Sequence, residues 1–141
     1  MDAKATWHKG LTFTGSAAGS GFSVPLGADA QVGGQNDGFR PLELLAVGLA
    51  GCTGMDVISI LEKKRQQVTA FEVRVHADLA AEHPYVFTKV QLEYVVTGKG
   101  VQREAVERAV SLSETKYCPA QAMLRTATPI ESKITIVEAG S

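Results

Sequence analysis

The 141-residue sequence is short of several things at once, and each shortage closes a class of function. It has two cysteines, Cys52 and Cys118, too few for a small disulfide scaffold. They lie far apart and form no CxxC pair, which excludes a zinc ribbon and a thioredoxin-type motif. Five prolines and 14 glycines exclude a collagen-like or proline-rich chain. Fourteen Lys+Arg against 15 Asp+Glu leave a formal net charge of −1. That balance gives no long-range basic field, so neither a nucleic-acid partner nor an anionic membrane surface is expected. The histidines His8, His76 and His83 have no metal-ligand spacing, and no metal or other cofactor is expected. GxSxG, P-loop and GxGxxG patterns are missing as well.

Long apolar runs are also scarce. The most apolar stretch, Leu42 to Leu61, is interrupted by Glu43 and Asp56, and a charge is costly at bilayer depth, so it reads as a core helix rather than a span. The opening Met1-Asp2-Ala3-Lys4 does not have the pattern of a signal peptide. The expectation is a reducing, cytoplasmic setting in which the two thiols persist unless redox chemistry uses them.

What is present is enough to fold. With 45% hydrophobic and 21% charged residues, the chain can bury a core, and its length suits one domain over residues 1–141. Short β-rich pieces open it: Ala5–Trp7, Leu11–Thr14 and Gly21–Val24. The glycine-rich segment 27–38 reads as a mobile loop. Pro41 opens a helix that runs to Glu62-Lys63-Lys64-Arg65 and is apolar on more than one face, so it belongs at the centre of the domain or of an oligomer. Phe71, Val73, Val75, Ala77 and Leu79, and then Val90, Leu92, Tyr94 and Val96, alternate with mostly polar residues, as in a half-solvated antiparallel sheet. A helix from about Gln102 to Tyr117 follows, with Val106, Ala109, Val110 and Leu112 inward. Cys118-Pro119 breaks it and starts another, with Ala120, Met123 and Leu124 inward, and Ile134–Val137 is the last strand. Grouped rather than alternating elements predict the α+β class.

Two residues stand out chemically. Cys52 sits inside the apolar helix, where free cysteine is often just a small buried residue. Gly51 and Gly54 beside it each cost helix stability of about 1 kcal/mol against Ala, which suggests that something close needs the space. Cys118 precedes Pro119 and so stands at a helix start, where unpaired N–H groups and the neighbouring Lys116 favour a thiolate.

The run Pro41-Leu42-Glu43-Leu44-Leu45-Ala46-Val47-Gly48-Leu49-Ala50-Gly51-Cys52, with Tyr117-Cys118-Pro119 far downstream, resembles the OsmC/Ohr family of osmotically inducible and organic hydroperoxide resistance proteins. The continuation Cys52-Thr53-Gly54-Met55-Asp56-Val57 and the opening Trp7-His8-Lys9-Gly10-Leu11-Thr12-Phe13 are closer to the OsmC-like branch than to the organic hydroperoxide resistance proteins. The resemblance implies an OsmC-like α+β fold, with antiparallel sheets and a long buried central helix, in an intertwined homodimer. It implies thiol-dependent reduction of organic hydroperoxides in oxidative stress defence, with Cys52 attacking the peroxide, Cys118 closing a disulfide, and a dithiol reductant of unknown identity resetting the pair. The family also supports its reactive thiolate with an arginine and with a glutamate directly after the helix-opening proline. Here Leu42 follows Pro41, the glutamate is Glu43, and the first arginine in the chain is Arg40. On an ideal helix the nine residues from Glu43 to Cys52 turn by about 900°, which sets the two on opposite sides. Arg40 and Glu43 are thus candidate helpers displaced from the family pattern. The alternative expectation is a non-catalytic or small-molecule-binding relative lacking the activating pair.

Overall fold

The computed structural model describes residues 1–140. The chain forms two compact units, Met1–Leu45 and Ala46–Ser141, with the boundary inside one long helix.

In the first unit, β1 (Ala3–Lys9), β2 (Thr12–Ala17) and β3 (Ser23–Leu26) form an antiparallel meander in the order β1-β2-β3. Gly10 (φ +50°) and Gly21 (φ +76°) supply left-handed backbone at its two turns. The segment 27–38, expected to be mobile, is instead wired in place. Asp29 caps a short 3₁₀ turn at Ala30–Val32 by accepting from the Gln31 N–H at 2.8 Å, and Thr12 Oγ1 donates to Asp37 at 2.6 Å. Gly38 lies so close to the Pro25–Leu26 backbone that a Cβ would sit 2.6 Å from the Pro25 carbonyl carbon. Gly27, Gly34 and Gly38 serve close packing, while Gly33 supplies left-handed backbone (φ +91°).

The helix α1 (Pro41–Lys63) starts at the expected proline. Glu43 Oε1 accepts the Arg40 N–H at 2.8 Å, one half of a capping box. By length and composition α1 could cross a bilayer. Instead, Leu49, Thr53, Val57 and Leu61 form a buried stripe at four-residue spacing, the lie of a core helix. The sequence suggests a helix covered on nearly all sides. This chain covers that one stripe and leaves Leu45, Val47 and Met55 exposed.

In the second unit, β4 (Gln67–Leu79), β5 (Phe87–Lys99) and β6 (Ile130–Glu138) form a sheet in the order β4-β5-β6. The alternation reads as expected, with Val90, Leu92, Tyr94 and Val96 buried and Arg74, His76 and Gln91 exposed. β4 and β5 are antiparallel, but β6 pairs in parallel with β5, which corrects the all-antiparallel expectation. The physical reason is the crossover. Chain between β5 and β6 folds into α2 (Arg103–Leu112), a wide π turn at Ser113–Tyr117 and α3 (Pro119–Leu124), enough to return the strand in the same direction. Ala105, Val106, Ala109 and Val110 of α2 are buried as their spacing requires, and join Leu49, Val57 and Leu61 and the β5 side chains in one core. On α3, Ala120 and Leu124 pack against the core as expected, but Met123 is exposed, and the polar Gln121 takes the buried place.

Candidate functional site

The two thiols come from different elements of the second unit. Cys52 is half-buried on α1, and Cys118 is buried at the start of α3; both are free. The π turn ends α2, and the Cys118 N–H closes it by donating to the Ser113 carbonyl at 2.9 Å. Pro119 then biases Cys118 to extended backbone (φ −79°, ψ 106°), so its side chain caps α3. Its sulfur accepts the Gln121 N–H at 3.4 Å.

Cys52 lies close enough to Cys118 to act on its thiol. The Cys118 thiol is pushed up to about 11, first by burial and then by the neighbouring Cys52. Cys118 therefore stays protonated at neutral pH. The sequence argument expected the helix start and Lys116 to favour a Cys118 thiolate. Burial outweighs both, and the Lys116 ammonium lies 5.2 Å from the ring centre of its neighbour Tyr117.

Behind the thiols lies a polar cluster inside the core. Thr53 Oγ1 is 3.0 Å from Tyr94 Oη and 2.9 Å from Ser113 Oγ. Gln121 Nε2 donates to Thr53 Oγ1 at 3.0 Å and to Tyr94 Oη at 3.2 Å, while Gln121 Oε1 accepts from Arg125 at 2.8 Å. Ser113 Oγ donates to Asp56 at 2.9 Å, and Glu114 closes the rim toward Tyr94 and Arg125. Asp56, which carries a carboxylate one turn beyond Cys52, is thus held by Ser113. Burial raises Tyr94 to about 12, so its phenol stays neutral. Sequence reasoning missed Thr53, Ser113, Gln121 and Tyr94 as a group. The one available signal was a polar threonine at a stripe position otherwise filled by Leu49, Val57 and Leu61.

Each candidate helper is engaged in the first unit. The Arg40 guanidinium donates to Asn36 at 2.7 Å and pairs with Asp29 at 3.4 Å, and Glu43 holds the Arg40 N–H. A shallow groove of about 590 Å³ runs over the opposite face of the second sheet from the thiol cluster, lined by Arg74, His76, Gln91, Glu93 and Lys133. Its charges pair across strands, as Arg74 and Lys133 do with Glu93. Among the described residues, no three His, Cys, Asp or Glu gather as a metal site would require.

The α+β architecture, with two small sheets and a long apolar helix, is that of the OsmC-like class. The chain belongs to the OsmC family: the family model of OsmC-like proteins matches residues 34–133. Protein YhfA of Escherichia coli K12 is 37% identical over 139 residues, covering 99% of this chain and 100% of its own. An OsmC-like protein from Mycoplasma pneumoniae superimposes with a TM-score of 0.81 at 18% identity, over 96% of each chain. A Legionella pneumophila structure, described as an organic hydroperoxide resistance protein OsmC, matches with a TM-score of 0.69 at 17% identity, over 95% of each chain. The last two likenesses concern the fold.

Proposed function

We propose that this protein reduces organic hydroperoxides with Cys52 and Cys118, in a cytoplasmic setting and as a homodimer. The observation that carries the reading is a half-buried thiol near enough to a buried, protonated one to act on it. The Cys52 thiolate attacks the peroxide, an S–O bond forms, the O–O bond breaks, and the alkoxide takes a proton to leave as alcohol. Cys52 is then a sulfenic acid. Cys118 gives up its proton, its sulfur attacks the Cys52 sulfur, and hydroxide leaves with that proton as water. A dithiol reductant returns two electrons and two protons. Negative charge on Cys52 helps keep Cys118 protonated, and oxidation of Cys52 removes that charge, which favours this order of steps.

Arg40 and Glu43 enter this reading as candidate helpers by resemblance alone. The bonds they make support an anchoring role, fastening the loop to the start of α1. The alternative of a non-catalytic or small-molecule-binding relative draws on one observation: Cys118 is held protonated while both candidate helpers spend their polar atoms locally.

The test is consumption of an alkyl hydroperoxide with thiol labelling. Cys52→Ser is expected to abolish turnover, and Cys118→Ser to stop at a trappable sulfenic acid. Equal turnover by the parent protein and Cys52→Ser selects the alternative. In the same assay, slower Cys52 oxidation in Arg40→Ala, with incomplete rescue by Arg40→Lys, assigns Arg40 a helper's role, because lysine restores charge but not the planar fork.

A further inference from the structure

A disulfide forms only when its two Cα atoms stand about 4.4–6.8 Å apart, so the elements carrying Cys52 and Cys118 must be held in register. α3 spans only Pro119–Leu124, too short to hold its own place by helical bonding. What ties it down is polar. Gln121 is fully buried, and every polar atom of its side chain is used: Nε2 toward Thr53 and Tyr94, Oε1 toward Arg125. Its backbone N–H holds the Cys118 sulfur. Thr53 is also fully buried and is the chain neighbour of Cys52. The Gln121–Thr53 bond, 3.0 Å across 68 residues of sequence, therefore joins the two cysteine-bearing segments directly.

The direction of this chain of bonds follows from chemistry. The Asp56 carboxylate only accepts, so Ser113 must donate to it. Ser113 is then open to the Thr53 hydroxyl proton, and Thr53 to the Gln121 amide proton. The series runs from α3 through the residue beside Cys52 and ends on α1 at Asp56. A satisfied buried network of this kind specifies one arrangement, and a broken one leaves donors and acceptors stranded.

We propose that Gln121 and Thr53 are positioning residues that clamp the Cys118 segment onto the Cys52 helix in the register needed to close the disulfide. The proposal rests on the two-cysteine reading but not on peroxide as the oxidant. Oxidised glutathione closes the same bond, taking two electrons and two protons from the thiols and leaving as two reduced glutathiones.

The experiment equilibrates the parent protein, Thr53→Val, Thr53→Ser, Gln121→Leu and Val106→Ala in glutathione redox buffers. Bridged and free thiols are counted by alkylation and mass, with Tm measured alongside. Thr53→Val and Gln121→Leu are expected to lower the effective concentration of the two thiols by roughly tenfold or more, since small misplacements carry large penalties. Thr53→Ser keeps the hydroxyl and is expected to stay near the parent value. Val106→Ala opens a cavity in the core without touching the network, so it is expected to lose Tm yet hold the effective concentration within about twofold. Equal effective concentrations throughout, or an equal loss in Val106→Ala, would overturn the clamp. A parent protein that bridges with glutathione but fails to consume an alkyl hydroperoxide would sink the peroxidase reading and leave the clamp to be judged on the variants.

Discussion

At the scale of single residues, two groups in the second unit hold their protons more tightly folded than unfolded. Burial, with the neighbouring Cys52 behind it, lifts Cys118 from an ordinary 9.0 to about 11, and burial lifts Tyr94 from 10.0 to about 12. For a raised value the stabilising contribution is complete below the unfolded pKa and is lost as pH rises through the folded one. Thermal stability is therefore expected to fall from about pH 9 upward, as first Cys118 and then Tyr94 must ionise. A Tm-against-pH series checks this. Cys118→Ser flattens the earlier part of the decline. Tyr94→Phe flattens the later part, although it lowers Tm throughout by stranding partners on Thr53 and Gln121. Parallel curves for all three proteins would remove the assignment.

At the scale of elements, α1 meets β4 through a gap left by a glycine. A Cβ on Gly54 would lie 3.3 Å from Val73 Cγ2 and 3.8 Å from a Phe71 ring carbon. That gives the space-demanding glycine beside Cys52 a concrete reason, whereas Gly51 has open space in this chain. Gly54→Val adds a branched side chain to a packed seam and is expected to cost about 1–3 kcal/mol, measured by urea unfolding. Gly54→Ala combines a helix-propensity gain of about 1 kcal/mol with the same crowding in milder form, and is expected to lie closer to neutral. A Gly54→Val protein as stable as the parent would show that the seam yields freely.

At the scale of the whole molecule, the chain leaves a set of large apolar side chains exposed. Trp7 is 62% exposed and Phe22 78%, and on α1 Val47 and Met55 are 54% and 74% exposed. A homodimer that buries this set would account for α1 being apolar beyond the stripe its own sheet covers. Sedimentation at micromolar concentration is expected to give a dimer, and Met55→Lys to shift it toward monomer with little loss of the chain's own core. A parent protein that sediments as a stable monomer would overturn the assembly.

Much of this was readable from residues alone, and for a definite reason. Period-two alternation in β4 and β5 and the spacing of Ala105, Val106, Ala109 and Val110 state which face is inward, because burial of one face is what selects those residues. Pro41 and Pro119 mark helix starts because proline fixes the local backbone. The two cysteines were visible as candidate chemistry from residue type and from the helix positions around them, since Pro119 marks a helix start directly after Cys118. The parallel pairing of β6 was not visible, because strand direction depends on the path of the crossover and not on the pattern within the strand. The order in segment 27–38 was hidden because it depends on Asp29, Asp37 and Arg40 finding partners through space. Protonation of Cys118 and the polar cluster around Gln121 and Thr53 arise from burial and from contacts between distant segments. Only the tertiary structure decides those, because a side chain's solvation and its partners are set by what the fold places against it.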